Sequence, residues 1–244
     1  MTATTRATQM ASTVHKLALM ALHPPTILQD DYIEWLALVN PGMQHRGNYH
    51  LFDLAMRQAP AGPMVEIGSF CGLSTNIIQY LKRKHHRPDP LYTCDKWIFE
   101  GSENPLPEAA GVDHDQLRAY VMDTFRRSVT TLSPGDLPYT VEATSDEFFK
   151  MWDEGTHVED VFGRGVELGG PVGFCFIDGN HTEPYAQADF THCDKFLMPG
   201  GLILFDDSGD ESDWEVKKVV DRIKRNPRYE VVAKNPNYLV RKRA

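Results

Sequence analysis

The stretch from residue 174 to residue 207, FCFIDGNHTEPYAQADFTHCDKFLMPGGLILFDD, decides the fold. It contains two apolar runs that end in aspartate, the first at Asp178 and the second at Asp206 and Asp207. Continuous apolar runs of this kind are typical of strands covered on both faces, as in a parallel sheet. Between the runs, apolar residues recur at helical spacing after Thr182, a residue that can cap a helix. The stretch therefore predicts a strand, a helix and a second strand.

The two predicted strands bring three carboxylates to one edge of the sheet. Strands joined by a crossover helix run parallel, so Asp178, Asp206 and Asp207 should emerge at the carboxyl-end edge, where open α/β sheets bind ligands. Like charges gather only where a cation compensates them, and oxygen ligands at this density suit Mg²⁺ or a related divalent ion. Each acid taken singly could instead be a solvated turn residue. Two acidic strand ends in neighbouring strands favour the cation site.

A second strand-turn-helix pattern lies earlier in the chain. Residues 64–67 have the pattern of a strand, residues 68–72 that of a glycine turn, and residues 73–84 that of a helix. Glycines at such a turn let a ligand approach the backbone and the helix amides. The next predicted strand, 91–94, ends in Asp95, which can accept hydrogen bonds from ribose hydroxyls. The pattern indicates an adenosyl-type cofactor in a doubly wound fold, while the absence of GxGxxG leaves structural glycines as the alternative.

Composition narrows the class of protein. The chain has 244 residues and a formal net charge of −9, so we expect no nucleic-acid partner and no polyanionic substrate. The four cysteines show no CxxC spacing, which predicts buried, reduced thiols and a cytoplasmic protein. No stretch approaches the roughly 20 apolar residues of a membrane span, so no membrane partner is expected.

The domain organisation follows from where the strands begin. We expect residues 1–12 to be a disordered tail and residues 13–244 to form a single domain. Within it, residues 13–61 are helical and could be a cap over the site or a dimer arm, and residues 62–244 form the core. The polar stretch 44–48 could face substrate or be a solvated connection. Two insertions have no assigned role: residues 98–113 and 154–171.

Four segments together resemble one enzyme family: VEIGSFCGLST (65–75), TCDKW (93–97), IDGNHTEPYAQAD (177–189) and PGGLILFDD (199–207). They look like class I S-adenosylmethionine-dependent O-methyltransferases, in the metal-dependent branch around macrocin O-methyltransferase and the cephalosporin hydroxylase-like proteins. Many members act on sugar hydroxyls. The resemblance covers about residues 62–242. It implies an α/β fold with a Rossmann-like doubly wound sheet of order 3-2-1-4-5-7-6, the last strand antiparallel, with an N-terminal helical cap, in a homodimer.

The resemblance also implies cofactors and the residues that hold them. The cofactors are S-adenosylmethionine and Mg²⁺ or another divalent cation. The methionine end of S-adenosylmethionine would lie at the Gly68 turn, its ribose at Asp95 and its adenine near Ser145. The full set of cofactor-binding residues is Glu66, Gly68, Ser69, Ser74, Asp95, Ser145 and Asp178. The metal ligands are Asp178, Asp206 and Asp207.

The chain departs from the pattern of some sugar methyltransferases at Asn180, where those enzymes place an aspartate base. An amide cannot take up a proton at neutral pH. The next residue, His181, stands where the related catechol-type enzymes place a lysine base. The unperturbed pKa of histidine is about 6.5, so it can accept a proton near neutrality. We therefore expect His181 to be the general base, the alternative being a surface histidine at a helix start.

These observations favour Mg²⁺-dependent methylation of a hydroxyl of a saccharide or glycosylated metabolite. A catechol or phenol natural product is the alternative substrate, because Trp97 and Phe99 could stack on either kind of ring. A nicotinamide-dependent oxidoreductase would leave the three aspartates unexplained. A binding protein that retains the cofactor without turnover is a further alternative. In each case a small molecule or an oligosaccharide is the expected partner.

Overall fold

A computed structural model of the protein describes residues 26–98 and 110–244. The helices are α1 (Asp31–Val39), α2 (Arg46–Gln58), α3 (Leu73–Lys84), α4 (His114–Leu132), α5 (Ser145–Glu154), α6 (Glu183–Phe196) and α7 (Val216–Ile223). The strands are β1 (Met64–Ile67), β2 (Leu91–Asp95), β3 (Tyr139–Glu142), β4 (His157–Glu159), β5 (Gly165–Glu167), β6 (Val172–Ile177), β7 (Leu197–Phe205), β8 (Tyr229–Lys234) and β9 (Tyr238–Lys242). The expected tail 1–12 and most of the insertion 98–113 lie outside the described residues.

Seven strands form one sheet in the order β3-β2-β1-β6-β7-β9-β8. The short strands β4 and β5 pair only with each other, as an antiparallel hairpin in the second insertion. Without that hairpin the order is 3-2-1-4-5-7-6, so the predicted topology is confirmed. Strand β9 is antiparallel to both of its neighbours. Strands β1, β2, β6 and β7 are parallel, so their carboxyl ends share one edge.

Apolar side chains cover both faces of the sheet. All six residues of β6 are buried, as its continuous apolar sequence predicts. Alternate side chains along a strand point to opposite faces. Cys175 and Ile177 belong to the core with α5, α6 and α7, whereas Phe174 and Phe176 belong to the core with α1, α2 and α3. All four cysteines are buried with free thiols, as expected.

Helices α1 and α2 pack into the core on one face of the sheet. Ile33 and Leu36 of α1 are fully buried there, together with Phe52 of α2. Asp30 caps α1 and also accepts a hydrogen bond from Lys84 at the end of α3, with a 2.6 Å separation. This packing brings the start of α2 to the carboxyl-end edge of the sheet. Within residues 26–98 and 110–244, no helix is long and apolar enough to cross a lipid bilayer.

Position 68, directly after β1, requires a glycine because of both its backbone conformation and the close approach of a neighbouring carbonyl group. Its φ is +83°, and a Cβ atom at this position would lie 2.0 Å from the carbonyl oxygen of Asp178. Glycine alone adopts that φ at little cost and leaves room for the carbonyl group. The close approach connects the turn after β1 directly to the end of β6.

We expect Gly68→Ala to destabilise the protein by roughly 2–5 kcal/mol, because left-handed backbone costs about 1–2 kcal/mol and overpacking adds about 1–3 kcal/mol. Gly135→Ala is a matched control, since Gly135 has a φ of +79° but no atom within 4 Å of its Cβ position. The Gly135→Ala variant should lose only the part of the free energy of unfolding that comes from the left-handed backbone. Urea unfolding of both variants measures the difference, and equal losses would contradict the close approach.

Candidate active site

Asp95, at the end of β2, holds the turn that follows β1. Its Oδ2 accepts hydrogen bonds from the backbone N–H groups of Ser69 and Phe70, at 2.8 and 2.9 Å. Its Oδ1 accepts from the backbone N–H of Trp97 at 2.7 Å. Burial raises the pKa of Asp95, and these N–H groups oppose the rise. The residue predicted to bind ribose therefore also fixes the shape of the turn.

Two buried polar atoms near this turn have no hydrogen-bond partner among the described residues: Oε1 of Glu66 and Oγ of Ser69. The other oxygen of Glu66 accepts from the Thr75 hydroxyl at 2.6 Å. Burial raises the pKa of Glu66 to about 8, although the hydroxyls of Ser74 and Thr75 oppose the rise. Buried polar groups are normally hydrogen-bonded, so orphaned ones indicate a missing polar ligand. The residues present fit the amino-acid end of an S-adenosylmethionine molecule.

Ser145 is the first residue of α5 and lies beyond the carboxyl end of β3. Thr144 caps this helix through a capping box with Glu147. Burial raises the pKa of Asp189 of α6 to about 6, and the nearby Ser145 hydroxyl opposes the rise. An Oδ2 atom of Asp189 also lies 2.9 Å from the position of a Cβ on Gly179. Asp189 therefore connects the predicted adenine region to the loop after β6.

Sequence reasoning missed Asp189. The residue follows the helical pattern of α6 like any other polar residue, and only the structure shows that it is almost fully buried. In the sequence its immediate neighbours, Ala188 and Phe190, are apolar, and this was the available signal of burial.

The three predicted metal-binding aspartates meet at the carboxyl-end edge, since Ile177 of β6 pairs with Phe205 of β7. The carboxyl groups of Asp178 and Asp206 lie next to each other, so each influences the ionisation of the other. Burial raises the pKa of both groups. The charges of Asp178 and Asp207 raise the pKa of Asp206 further.

His181 lies against this cluster. Its Nε2 is 3.4 Å from Oδ1 of Asp178 and 3.6 Å from Oδ2 of Asp207. Its ring packs against Trp214, with 5.1 Å between ring centroids and 40° between the planes. Only 20% of its side chain is exposed. The imidazole is thus held between an aromatic ring and two carboxylates, rather than projecting freely into solvent.

Asn180 is used in the local structure of the loop. Its Oδ1 accepts hydrogen bonds from the backbone N–H and the hydroxyl of Thr182, at 3.0 and 2.7 Å. Thr182 is the residue that precedes α6. The amide at position 180 therefore stabilises the start of that helix.

Side-chain amides from distant parts of the chain complete the cluster. Gln44 donates from Nε2 to Oδ2 of Asp178 at 2.7 Å. Asn48 and Asn237 both donate to Oδ1 of Asp206, at 2.5 and 2.6 Å. Of these, the sequence singled out only the polar stretch 44–48 as facing substrate or solvent. The structure brings that stretch to the carboxylates, and Asn237 was missed because turn asparagines are common.

His45 lies in the same stretch. Burial lowers the pKa of His45, and the negative charge of Asp207 opposes the shift. Its Nδ1 accepts a hydrogen bond from the backbone N–H of Gly47 at 3.0 Å, as the cap of α2. A second histidine thus lies within the electrostatic influence of the carboxylate cluster.

Comparison with protein-family models decides the family. A model described as a methyltransferase domain matches residues 65–208, which is more than half of the chain. The chain belongs to this methyltransferase family. The matched region begins in β1 and ends just after β7, so it contains the glycine turn, Asp95 and the carboxylate cluster.

Solved structures share the fold of this methyltransferase. The methyltransferase PaMTH1 of Podospora anserina, bound to S-adenosylhomocysteine (SAH), is 15% identical, with a TM-score of 0.56 and 95% of each chain covered. The O-methyltransferase TomG of Streptomyces achromogenes, in complex with SAM, is 15% identical, with a TM-score of 0.53, 93% of this chain covered and 95% of that one. CalS11, a TDP-rhamnose 3'-O-methyltransferase of calicheamicin biosynthesis, is 14% identical, with a TM-score of 0.52, 95% of this chain covered and 93% of that one.

The donor set of the methyltransferase fits a divalent cation in its chemistry. Asp178, Asp206 and Asp207 supply carboxylate oxygens, the ligands that hard cations prefer. In the part of the chain that the structure describes, however, no group of three or more acidic, histidine or cysteine side chains is arranged as a set of metal ligands. One oxygen of Asp178 and one of Asp206 accept hydrogen bonds from side-chain amides. The ligand types are therefore present, and Asp178 and Asp206 each keep one carboxyl oxygen to which no side-chain amide of the described residues donates.

Glu66 should make the stability of the methyltransferase depend on pH. Its pKa is about 8 in the folded protein, against an ordinary value of 4.5, so the folded state holds a proton that the unfolded chain releases between these values. Stability from this group therefore falls as pH rises from about 4.5 to about 8. Each unit of pKa difference corresponds to about 1.4 kcal/mol.

We expect Glu66→Gln to lose less free energy of unfolding than the wild type over that pH range, because glutamine does not titrate. Urea unfolding of the cofactor-free protein at several pH values provides the comparison. Parallel curves for the two proteins would contradict the raised pKa.

Proposed function

We propose that the protein transfers the methyl group of S-adenosylmethionine to a hydroxyl group of a saccharide or glycosylated metabolite. In this proposal His181 is the general base, and Asp178, Asp206 and Asp207 hold Mg²⁺ or another divalent cation. The observation that carries the proposal is the position of His181 Nε2, within 3.4 Å of Asp178 and 3.6 Å of Asp207 at the ligand-binding edge of the sheet.

The proposed cofactor site lies around the turn after β1. The orphaned atoms of Glu66 and Ser69 offer hydrogen bonds to the ammonium and carboxylate groups of the methionine part. Asp95 would meet the ribose, and Ser145 would adjoin the adenine. Gly68, Ser74 and Asp178 complete the proposed set. The folds of proteins solved with S-adenosylmethionine or S-adenosylhomocysteine support this choice of cofactor.

The proposed reaction is a direct displacement at carbon. A lone pair of the acceptor oxygen attacks the methyl carbon, the carbon–sulfur bond breaks, and its electron pair stays on sulfur. The products are a methyl ether and S-adenosylhomocysteine. The hydroxyl proton passes to neutral His181, and the imidazolium that forms lies against Asp178 and Asp207, whose charges stabilise it. A bound divalent cation would lower the pKa of the hydroxyl group and orient it.

The polar character of the site favours a saccharide acceptor. Gln44 and Asn48 donate hydrogen bonds to the carboxylates, and His45 lies within the electrostatic influence of Asp207, so polar groups surround the proposed base. The fold shared with a TDP-rhamnose 3'-O-methyltransferase supports the same class. A catechol or phenol remains the second candidate, because Trp214 packs beside His181 and could stack on an aromatic acceptor.

We expect His181→Ala to lower kcat by roughly 10²- to 10⁴-fold, the usual contribution of a general base, with little change in affinity for S-adenosylhomocysteine. The assay follows formation of S-adenosylhomocysteine with a panel of acceptors: a nucleoside-diphosphate sugar, simple methyl glycosides and catechol. His192→Ala is the control, since His192 contacts Asp146 and Phe149, away from the carboxylate cluster. Near-normal kcat in His181→Ala would exclude this residue as the base, and turnover of catechol alone would exclude the saccharide.

Removal of divalent cations tests the metal part of the proposal. We expect EDTA to abolish turnover and Mg²⁺ to restore it, because the three carboxylates bind the cation through oxygen. Asp207→Ala should lose the response to Mg²⁺ while calorimetry still detects binding of S-adenosylhomocysteine. Full activity in EDTA would refute the metal site and leave the cofactor site unaffected.

A further inference from the structure

Three side-chain amides form a directed chain of hydrogen bonds that starts at the backbone. Oδ1 of Asn237 accepts from the backbone N–H groups of Ser208 and Gly209, at 2.9 and 3.2 Å. Because those donors are backbone groups, the Asn237 amide can have only one orientation, with Nδ2 on the other side. That Nδ2 donates to Oδ1 of Asp206 at 2.6 Å and to Oδ1 of Asn48 at 3.0 Å.

The orientation of the Asn237 amide determines the orientations of the next two amides. Since Oδ1 of Asn48 is an acceptor, its Nδ2 must be the donor to Oδ1 of Asp206 at 2.5 Å and to Oε1 of Gln44 at 3.1 Å. Gln44 then donates from Nε2 to Oδ2 of Asp178 at 2.7 Å. The order of the chain is Asn237, Asn48, Gln44, and each of these amides donates to a carboxylate.

These amides determine which oxygens of the carboxyl groups are free for other partners. Oδ1 of Asp206 and Oδ2 of Asp178 are occupied by amide N–H groups, whereas Oδ1 of Asp178 faces His181. Asn48 is fully buried and Asp206 is 4% exposed, so water cannot easily replace a lost donor. A hydrogen bond to a charged group is stronger than one between neutral groups, and an unsatisfied buried acceptor is costly.

We propose that Gln44 and Asn48 are positioning residues that orient the carboxyl groups of Asp178 and Asp206 for one divalent cation. This inference rests on the proposed function, in which those carboxyl groups hold the cation. The two amides are four residues apart and lie on either side of the start of α2, so they reach neighbouring carboxyl groups from one short segment. Hydrogen-bonded partners of metal ligands fix ligand orientation and thereby raise affinity for the metal.

The test measures cation affinity without turnover. Gln44→Met and Asn48→Leu remove the N–H donors and keep side chains of similar size. We expect each to weaken binding of Mn²⁺, followed by electron paramagnetic resonance, and of Mg²⁺, followed by calorimetry, by about 10- to 100-fold. Thermal unfolding of each variant confirms that it is folded, and Gln44→Met decides the question if Asn48→Leu does not fold, because Gln44 is only partly buried.

Asn235→Ala is the matched control. Asn235 donates to the carbonyl groups of Gly47 and Thr26, at 3.0 and 2.7 Å, so it holds the same segment without contacting a carboxylate. Its cation affinity should stay near that of the wild type. An equal loss in all three variants would mean that the amides only anchor the segment, and this would overturn the inference.

The remaining outcomes separate this inference from the proposed function. Unchanged cation affinity in folded Gln44→Met overturns the positioning role and leaves the metal site intact. A wild-type protein that binds neither Mn²⁺ nor Mg²⁺ overturns both the positioning role and the metal part of the proposed function. Binding of S-adenosylhomocysteine should be the same in every variant, and its loss would show a wider collapse of the site and overturn the specific role.

Discussion

The buried carboxyl groups of Asp178 and Asp206 are the constraint on which the rest of the site depends. Two acids at the ends of adjacent parallel strands must lie close together, and burial makes ionisation of both unfavourable. The protein compensates with side-chain amides that donate hydrogen bonds to the two groups. Amides stabilise a carboxylate without adding a positive charge to the cluster.

The compensating amides come from opposite ends of the chain, and the sheet topology explains how they meet. Strand β9 is antiparallel to β7, and its first residue, Tyr238, pairs with Phe205 at the end of β7. The turn before β9 therefore lies at the carboxyl-end edge, which puts Asn237 beside Asp206. An additional parallel strand at this position would have placed that turn at the opposite edge. The reversed strand thus supplies part of the site as well as the last pairing of the sheet.

The main strands and helices were predictable from the sequence because their signals are local, whereas the order of the strands in the sheet came from the family resemblance. The helix at 73–84 has the predicted bounds, and the apolar runs before Asp178 and Asp206 form adjacent buried strands. The hairpin of β4 and β5 was not predicted, since strands of three residues are too short to show a period. The positions of Asp95, Asp178 and Asp206 at the ends of their strands were also predicted, and a parallel sheet gathers such ends at one edge.

The hydrogen-bonding partners of those residues could not be predicted in the same way. Gln44 and Asp178 are 134 residues apart, and Asn48 and Asn237 are 189 apart. Nothing in the spacing of polar residues reveals which distant partner an amide will meet.

The same limit explains position 180, where the family resemblance indicates a missing base, whereas the structure shows an amide that receives two hydrogen bonds from Thr182. That use of Asn180 stabilises the start of α6, directly after His181, and the packing of Trp214 against the imidazole restrains His181 further. In the loop after β6, Asn180 therefore stabilises the start of α6, while the next residue, His181, faces the carboxylates.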